Sequence, residues 1–329
     1  KWRDCIETYD KVNLYKLSDE QQAELHFKKG YSFFMKKEME EAKVSFYEIK
    51  DEKTKYTAPA SYYYGHIHYS EENYQTALNE FKKLTKDETF VPIAPYYIVQ
   101  IYYMQKKYRE ITEFTPGIIN NVTEKRLAEV ARITAEAFFK LEQYDTAIGY
   151  FERYMEVAKS PADGATYQLA YAYYKTEQID KAVPLFERIS VNENALGQNA
   201  SYYLASCFVK KGDKENAQKA FASAMRSDAD PVIRQDAMFN YAVMTFEVGG
   251  DPFNDAISAF ENFINEYPES KRIDEARRLL IQAYLGARNY KKALESIDRI
   301  DQKSDELKEA YQRIAFNRGI ELFNIQEYS

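Results

Sequence analysis

Glycine, proline, histidine and cysteine are all scarce in this chain of 329 residues, which contains 11, 9, 3 and 2 of them respectively. So few turn-forming residues argue against an all-β fold, which needs many tight turns. His66 and His68 would project roughly 200° apart on a helix, so they cannot share a metal ion. Cys5 and Cys207 are far apart in sequence, and we interpret them as small buried apolar residues rather than as a disulfide.

Neither sign of charge dominates, and long apolar runs are missing. The chain has 45 basic and 52 acidic residues mixed along its length, with a net charge of −7. Without a basic stripe there is little to release counterions from a nucleic-acid backbone. No apolar run approaches the roughly 20 residues that a membrane-spanning helix needs. We therefore expect no nucleic-acid partner and no direct membrane insertion of this segment.

The residue patterns of enzymatic chemistry are missing as well. The sequence contains no glycine-rich phosphate loop after a strand, and no serine or cysteine nucleophile with a recognisable base. Acid pairs such as Glu71 and Glu72 are typical of solvated helix ends. We expect no catalytic residue, no metal and no cofactor.

What the chain does contain is a recurring alanine followed four residues later by phenylalanine. The clear copies are Ala42 and Phe46, Ala77 and Phe81, Ala147 and Phe151, Ala182 and Phe186, Ala217 and Phe221, and Ala256 and Phe260. Looser copies extend the series to both ends, and the period is about 35 residues. Such a period is typical of stacked helical hairpins. The sequence therefore predicts an all-α fold, an α-solenoid of antiparallel hairpins.

The first helix of each hairpin, called helix A here, carries a small residue where it crosses the second, helix B. In chain order these residues are Gly30, Gly65, Ala135, Ala170, Ala205, Ala242 and Gly319. Side-chain volume sets how closely two helices approach, so this position predicts a tight crossing. The phenylalanine of helix B is then expected to fill the space between successive hairpins.

These positions resemble the tetratricopeptide repeat family. In the second hairpin the matching residues are Tyr64, Gly65, Tyr74, Ala77 and Phe81, and in the fourth they are Ala135, Phe138, Tyr144, Ala147 and Phe151. The resemblance covers nearly all 329 residues. It implies a right-handed superhelix of stacked hairpins that acts as a protein-interaction scaffold and not as an enzyme.

The third hairpin departs from the pattern. Val99 occupies the small position, and Pro116 and Gly117 interrupt the expected helix B, which should be short or broken. One interpretation is a single array over 1–329 with one degenerate repeat. The other is a hinge between sub-arrays 1–117 and 118–329. In the seventh hairpin, two extra residues near 249–252 predict a longer turn.

Both ends of the sequence fall inside a repeat. Trp2, Cys5 and Tyr9 fit a helix B, whereas Gly319 and Tyr328 fit a helix A. Terminal repeats normally present a polar outer face. We therefore expect that this chain is a piece of a longer protein.

A second stripe on helix A, one residue round from the core stripe, lines the inner groove in this family. Its aromatic members form the predicted peptide-binding groove: Phe27, Tyr62, Tyr69, Tyr96, Tyr103, Phe139, Tyr167, Tyr171, Tyr174, Tyr202, Phe239 and Phe246. Such rings can clamp an extended or helical peptide. Alternatively, they stack between neighbouring A helices and stiffen the array. The richest candidate is the group Tyr167, Tyr171 and Tyr174 with neighbouring Tyr202, which has Lys175 and Lys210 at its edge.

A narrower resemblance lies in Phe260, Phe263, Tyr267, Pro268 and Ser270. This run is similar to repeats of bacterial outer-membrane assembly lipoproteins and of periplasmic partners of the Tol-Pal system. It implies a structural component of a bacterial envelope assembly that uses its convex face or array ends, and it favours the periplasm or cell envelope over the cytoplasm. The simpler alternative is that Tyr267 and Pro268 form an ordinary turn between repeats.

Overall fold

The fold is that of a computed structural model describing residues 2–248, 253–298, 303 and 305–325. Every regular element within these ranges is helical, with 18 α-helices and four short 3₁₀ turns. The predicted all-α array of hairpins is therefore confirmed. The longer turn expected near 249–252 lies outside the described residues.

The first compact unit comprises residues 1–165. Its helices are α1 (Trp2–Tyr9), α2 (Asp19–Lys36), α3 (Met39–Tyr47), α4 (Thr57–Ser70), α5 (Tyr74–Lys83), α6 (Ala94–Met104), α7 (Tyr108–Phe114), α8 (Glu124–Lys140) and α9 (Tyr144–Val157). Each helix packs on the next in the chain, and α6 also packs on α8. From α2 onward, even-numbered helices are A helices and odd-numbered helices are B helices.

The second compact unit comprises residues 166–329. It contains α10 (Asp163–Lys175, which begins just before the boundary), α11 (Ile179–Ser190), α12 (Ala195–Lys211), α13 (Lys214–Met225), α14 (Pro231–Val248), α15 (Phe253–Glu266), α16 (Ile273–Gly286), α17 (Tyr290–Asp298) and α18 (Asp305–Asn324). From α11 onward consecutive helices again pack on each other, and α12 also touches α14.

Seven hairpin turns contain a residue in the left-handed region directly after helix A. These residues are Lys37, Glu72, Lys106, Glu142, Glu177, Gly212 and Arg288, with φ between 52° and 74°. A left-handed residue ends a helix and lets the chain reverse within two or three residues. Only one of the seven is glycine, so scarce glycine does not prevent tight turns here.

The alanine and phenylalanine pairs form the core of both units, as predicted. All six alanines of the clear copies are fully buried. Their phenylalanine partners are also buried, and the most exposed of them, Phe221, reaches only 3%. Burying a phenylalanine contributes about 1.5–3 kcal/mol, so these residues hold consecutive hairpins together.

The small residues of helix A lie at tight crossings. A Cβ atom placed on Gly30 would lie 2.9 Å from Cε1 of Phe46 and 3.0 Å from Cβ of Ser45. At Gly65 the corresponding approach, to Cβ of Glu80, is 3.1 Å. Gly319 differs, because no described atom lies within 4 Å of a Cβ built there. A tight crossing at Gly319 is therefore not observed, since no described helix packs on that side.

The third hairpin is irregular, as expected. Its helix B, α7, ends at Phe114 and is followed by 3₁₀ turns at Thr115–Gly117 and Ile119–Asn121. Pro116 has no N–H group to continue an α-helical ladder, which explains the early end. The predicted sub-array boundary at 117/118 falls inside the first compact unit, where α8 packs on both α6 and α7. A hinge at that point remains a prediction.

Candidate functional site

The aromatic residues of the A helices form three clusters with the same internal arrangement. In each cluster, one central tyrosine on an A helix is surrounded by three rings of the preceding A helix. Ring cluster 1 is Phe27, Tyr31, Phe34 and central Tyr63; ring cluster 2 is Tyr62, His66, Tyr69 and central Tyr97; ring cluster 3 is Tyr167, Tyr171, Tyr174 and central Tyr203. Clusters 1 and 2 lie in the first unit and cluster 3 in the second.

Each central tyrosine stacks on the phenylalanine of the preceding helix B. The centroid distances and interplanar angles are 5.4 Å and 15° for Tyr63 on Phe46, 4.7 Å and 9° for Tyr97 on Phe81, and 6.0 Å and 19° for Tyr203 on Phe186. The three surrounding rings meet the central ring at steeper angles, at 5.0–6.4 Å. The same contact therefore recurs at three crossings.

These contacts bear on the two interpretations of the aromatic stripe. The rings do pack between neighbouring A helices, and each such pair contributes about 0.5–1.5 kcal/mol beyond its buried area. The surrounding rings nevertheless remain half-buried, so part of each is still accessible. Stiffening the array and presenting an aromatic surface are thus compatible roles for one set of residues.

Reasoning from the sequence missed the central tyrosines. Tyr63, Tyr97 and Tyr203 each directly follow a residue assigned to the groove, forming the doublets Tyr62-Tyr63, Tyr96-Tyr97 and Tyr202-Tyr203. The recurrence of a tyrosine doublet at the same repeat position was the available signal. The second member of each doublet packs against the preceding hairpin.

Tyr96 and Tyr103 make polar contacts instead of ring contacts with the next A helix. The hydroxyl of Tyr96 donates to Glu129 at 3.0 Å, and that of Tyr103 donates to Glu136 at 2.6 Å. Arg132 lies between these acids and donates to Glu136 at 2.5 Å. Burial, together with the Glu129 carboxylate, raises the pKa of Tyr96 to about 12. This part of the surface is a satisfied polar network.

A second polar network lies in the other unit. The Tyr202 hydroxyl donates to Asp236, which also accepts from Arg272 at 3.1 Å and from Asn240 at 3.1 Å. The carboxylate and burial raise the pKa of Tyr202 above its usual value, with burial the larger cause. The network joins α12 and α14 to Arg272, the residue directly before α16.

Phe239 requires a correction, because it was predicted to line an accessible groove and is instead fully buried. Its ring lies 5.3 Å from that of Phe263 and 6.5 Å from that of Phe260. The guanidinium of Arg272 covers the ring at 3.6 Å from its centroid. No face of Phe239 is left for a ligand.

The two remaining groove candidates are Phe139 and Phe246. Phe139 lies 5.4 Å from Tyr144 and 6.3 Å from Phe151. Phe246 is half-buried against the core of the second unit. Neither belongs to one of the three ring clusters.

Ring cluster 3 contains Tyr167, Tyr171 and Tyr174 of the group singled out from the sequence, but its fourth ring is Tyr203 and not Tyr202. Tyr167 packs edge-on against Phe186 at 5.8 Å, and burial raises the pKa of its hydroxyl. Lys210 lies 4.7 Å from the ring centroid of Tyr174 and donates to Glu177 at 2.5 Å. Lys175 lies 5.9 Å from the ring centroid of Tyr171. The cluster thus combines apolar rings with hydroxyl and ammonium donors.

Hallmarks of metal-binding, membrane-spanning or disulfide-linked proteins are not found in the described parts of the chain. Those parts contain no group of three or more His, Cys, Asp or Glu residues placed to hold a metal ion. Their helices are all too short or too polar to traverse a bilayer. Cys5 and Cys207 are not disulfide-bonded, and burial raises the pKa of the Cys207 thiol to about 12.

The pattern that resembled envelope-assembly repeats takes part in packing between hairpins. Phe260 and Phe263 are fully buried, and helix α15 ends at Glu266 just before the turn. The Tyr267 hydroxyl accepts from Arg234 at 2.6 Å, and the Ser270 hydroxyl accepts from Gln235 at 2.7 Å. The simpler interpretation, an ordinary turn between repeats, accounts for these residues.

Comparison with known proteins agrees with this architecture. The tetratricopeptide repeat family model matches residues 236–270, and the model for anaphase-promoting complex, cyclosome, subunit 3 matches residues 140–221. No curated protein matches the chain. Together with the recurring hairpins, these matches support a tetratricopeptide repeat protein, although the two models together match less than half of the chain. Members of this family bind proteins or peptides and are generally non-catalytic scaffolds.

Among solved structures, one similar chain is YrrB, described as a tetratricopeptide repeat protein with an unusual peptide-binding site. The two sequences are 18% identical, the match covers 60% of this chain and 97% of YrrB, and the TM-score is 0.48. Another is the C-terminal part of a repeat protein from Cytophaga hutchinsonii. It is 14% identical, with 73% of this chain and 94% of that chain covered and a TM-score of 0.42.

Proposed function

We propose that this chain is a non-enzymatic interaction scaffold that binds a peptide or protein segment on the face formed by its A helices. The observation that carries the proposal is ring cluster 3, in which four tyrosines of two neighbouring A helices meet. All four rings are half-buried, so each has an accessible part. Tyrosine offers a broad apolar surface and a hydroxyl, which suits it to recognise other polypeptides.

The packing of these rings favours binding. Tyr203 holds Tyr171 at 5.0 Å and Tyr174 at 5.5 Å, so the rings have little freedom left to lose. Ordering a mobile side chain at an interface costs about 0.5–1.5 kcal/mol. A surface that is already ordered avoids most of this cost.

The test is a pull-down with the whole chain as bait. In the ring variant, Tyr171→Ala is combined with Tyr174→Ala, while Tyr167 is kept because it packs on Phe186. The matched control combines Glu187→Lys with Lys219→Glu, two exposed residues of B helices, and leaves the net charge unchanged. Proteins retained by the unaltered chain are quantified by mass spectrometry, and circular dichroism verifies that both variants are folded.

We expect the ring variant to lose specific partners that the charge-swap variant retains. Retention by both variants, or loss confined to the charge-swap variant, would contradict binding on the helix-A face.

A second candidate is a structural part of a larger assembly, such as one in a bacterial envelope. In this role the chain would use the face formed by its B helices, or the ends of the array. The observation that favours it is an apolar pair on the B helix α3, where Val44 and Tyr47 are 65% and 59% exposed. Combining Val44→Ser with Tyr47→Ser tests it in the same pull-down. Partner loss in this variant but not in the ring variant would favour the structural role.

A further inference from the structure

Four charged residues of alternating sign follow one another along the side of α8 that faces α6. They are Arg126, Glu129, Arg132 and Glu136. Glu129 accepts from Gln100 at 2.5 Å as well as from Tyr96. Arg132 and Glu136 pair with each other. Arg126, by contrast, forms no ion pair with any residue that the structure describes, so this row of charges begins with a cation that lacks a carboxylate.

The guanidinium of Arg126 is nevertheless held in place. Its Cζ atom lies 4.8 Å from the ring centroid of Tyr96 and 5.2 Å from that of Tyr97. One N–H group donates to the backbone carbonyl of Ile93 at 3.4 Å. A guanidinium has five N–H donors, so most of them are left for a ligand. Contact with two rings limits the positions that the half-buried side chain can adopt, which favours binding.

Tyr69 adds a hydroxyl donor beside the same ring. The ring centroids of Tyr69 and Tyr97 are 5.3 Å apart, and Tyr69 is half-buried. Its hydroxyl makes no hydrogen bond with any described residue, unlike those of Tyr62 and Tyr96, which are already bonded. Burial raises the pKa of Tyr69, so the hydroxyl keeps the proton that it can donate. Arg126 and Tyr69 thus both offer donors at the border of Tyr97.

The charges around Arg126 favour a carboxylate as ligand. His66, whose ring lies 5.7 Å from that of Tyr97, is uncharged at neutral pH because burial and the Arg126 guanidinium lower its pKa. Glu129, one turn along α8, is already held by its two hydrogen bonds toward α6. A half-buried cation without a counterion has lost hydration without a compensating attraction. A carboxylate restores that attraction through the paired N–H···O bonds that a guanidinium forms.

We infer that Arg126 and Tyr69 form a site for an acidic side chain, aspartate or glutamate, of the polypeptide segment that the chain binds. The inference rests on the proposed function and names a chemical group that the bound segment carries. The net charge of −7 by itself predicts the opposite preference, since long-range electrostatics repels acidic peptides. A preference for acidic segments would therefore come from the local geometry.

The test measures fluorescence anisotropy with the whole chain and two labelled peptides, (Leu-Glu-Ser)4 and (Leu-Gln-Ser)4. The peptides have the same length and leucine content, and they differ only in carboxylate against amide. We expect the glutamate peptide to bind about tenfold more tightly, because hydrogen bonds to charged groups are the stronger ones. This comparison needs no variant of the chain.

Variants locate the site. Arg126→Gln should remove the preference for the glutamate peptide, and Tyr69→Phe, which deletes only the hydroxyl, should weaken its binding about threefold. The matched control is Lys125→Gln, because Lys125 is the exposed neighbour of Arg126 and its loss changes the net charge equally. This control should keep the preference. Circular dichroism verifies that each variant is folded, and Tyr69→Phe still tests the site if Arg126→Gln does not fold.

Competition distinguishes a polypeptide segment from a small anion. Sodium acetate supplies the same carboxylate without a peptide, and it should displace labelled (Leu-Glu-Ser)4 only at far higher concentration than the unlabelled peptide does. Displacement at equal concentration would identify a small-anion site and overturn the inference.

Equal binding of the two peptides, tighter binding of (Leu-Gln-Ser)4, or no binding of either also overturns the inference. So does an unchanged preference in folded Arg126→Gln, or an equal loss of preference in Lys125→Gln. If the inference fails while the cluster 3 variant still loses its partners in the pull-down, the proposed function stands without it. Failure of both experiments removes both.

Discussion

The crossing of α2 and α3 at Gly30 allows a sharp test of how the hairpins are held together. Gly30→Ala adds one methyl group at a point where it would lie 2.9 Å from Cε1 and 3.0 Å from Cδ1 of Phe46. Phe46 is fully buried and stacks on Tyr63, so its ring has little room to retreat. The added methyl must therefore separate the two helices or displace a ring that also belongs to the contact with the next hairpin.

Two opposing effects set the expected magnitude. Adding a methyl group to a well-packed core costs about 1–3 kcal/mol. Replacing a mid-helix glycine with alanine returns about 0.5–1 kcal/mol through backbone entropy and helix propensity. We therefore expect Gly30→Ala to lower the free energy of unfolding by about 1 kcal/mol, between limits of about 0 and 2.5 kcal/mol.

Gly149 provides the matched control within the same unit. It lies inside α9, is exposed, and has no described atom within 4 Å of an added Cβ. Gly149→Ala should therefore show only the favourable term and raise the free energy of unfolding by about 0.5–1 kcal/mol. The two substitutions are chemically identical, yet they should shift stability in opposite directions.

Urea unfolding followed by far-ultraviolet circular dichroism measures both variants. The single tryptophan, Trp2, adds a local probe, since its ring lies 5.7 Å from that of Tyr31 on α2, the helix that carries Gly30. Local probes matter because repeat arrays unfold through nearest-neighbour terms. If Gly30→Ala stabilises the chain as much as Gly149→Ala does, the tight-crossing argument is refuted.

Two further predictions use the same assay. Burial lowers the pKa of His26, His66 and His68, so the unfolded chain binds protons more readily and the free energy of unfolding falls as pH drops below about 6.5. The urea midpoint should decrease between pH 7.5 and pH 5.5, and His66→Gln should reduce that decrease; an unchanged decrease would count against burial as the cause. In the turns, Glu142 is left-handed with φ of 59°, so Glu142→Gly should stabilise the chain by about 1 kcal/mol, whereas Gly212→Ala should destabilise it similarly. Shifts of the same sign would contradict this account.

The fold was predictable from the sequence because each hairpin reuses the same contact. Ala77 and Phe81 occupy equivalent places to Ala42 and Phe46, so the period of the pattern reveals the stacking before any coordinates are known. The turn conformation was less accessible. Lys37 and Glu142 have no marked preference for the left-handed region, and closure of the hairpin imposes it on whichever residue lies there.

The ring clusters show where helical periodicity stops being informative. A stripe drawn on a helix cannot tell which of two adjacent positions faces the preceding hairpin and which faces the following one. On α4, Tyr63 contacts Phe46 behind it, whereas Tyr62 contacts Tyr97 ahead of it. On α4 the doublet thus provides one ring that packs on the preceding hairpin and one that packs on the following A helix.

Where the doublet is absent, the contact between A helices changes character. Arg132 and Ile133 replace it on α8, and Tyr103 then donates to Glu136 instead of joining a ring cluster. On α14 the corresponding pair is Phe239 and Asn240, and Tyr202 of the preceding A helix donates to Asp236 instead of joining a ring cluster. A half-exposed ring cluster therefore forms where the next A helix has a tyrosine at the second position of the doublet. Tyr63, Tyr97 and Tyr203 are these tyrosines. Sequence reasoning about accessible rings in such arrays must consider that neighbouring residue together with the stripe itself.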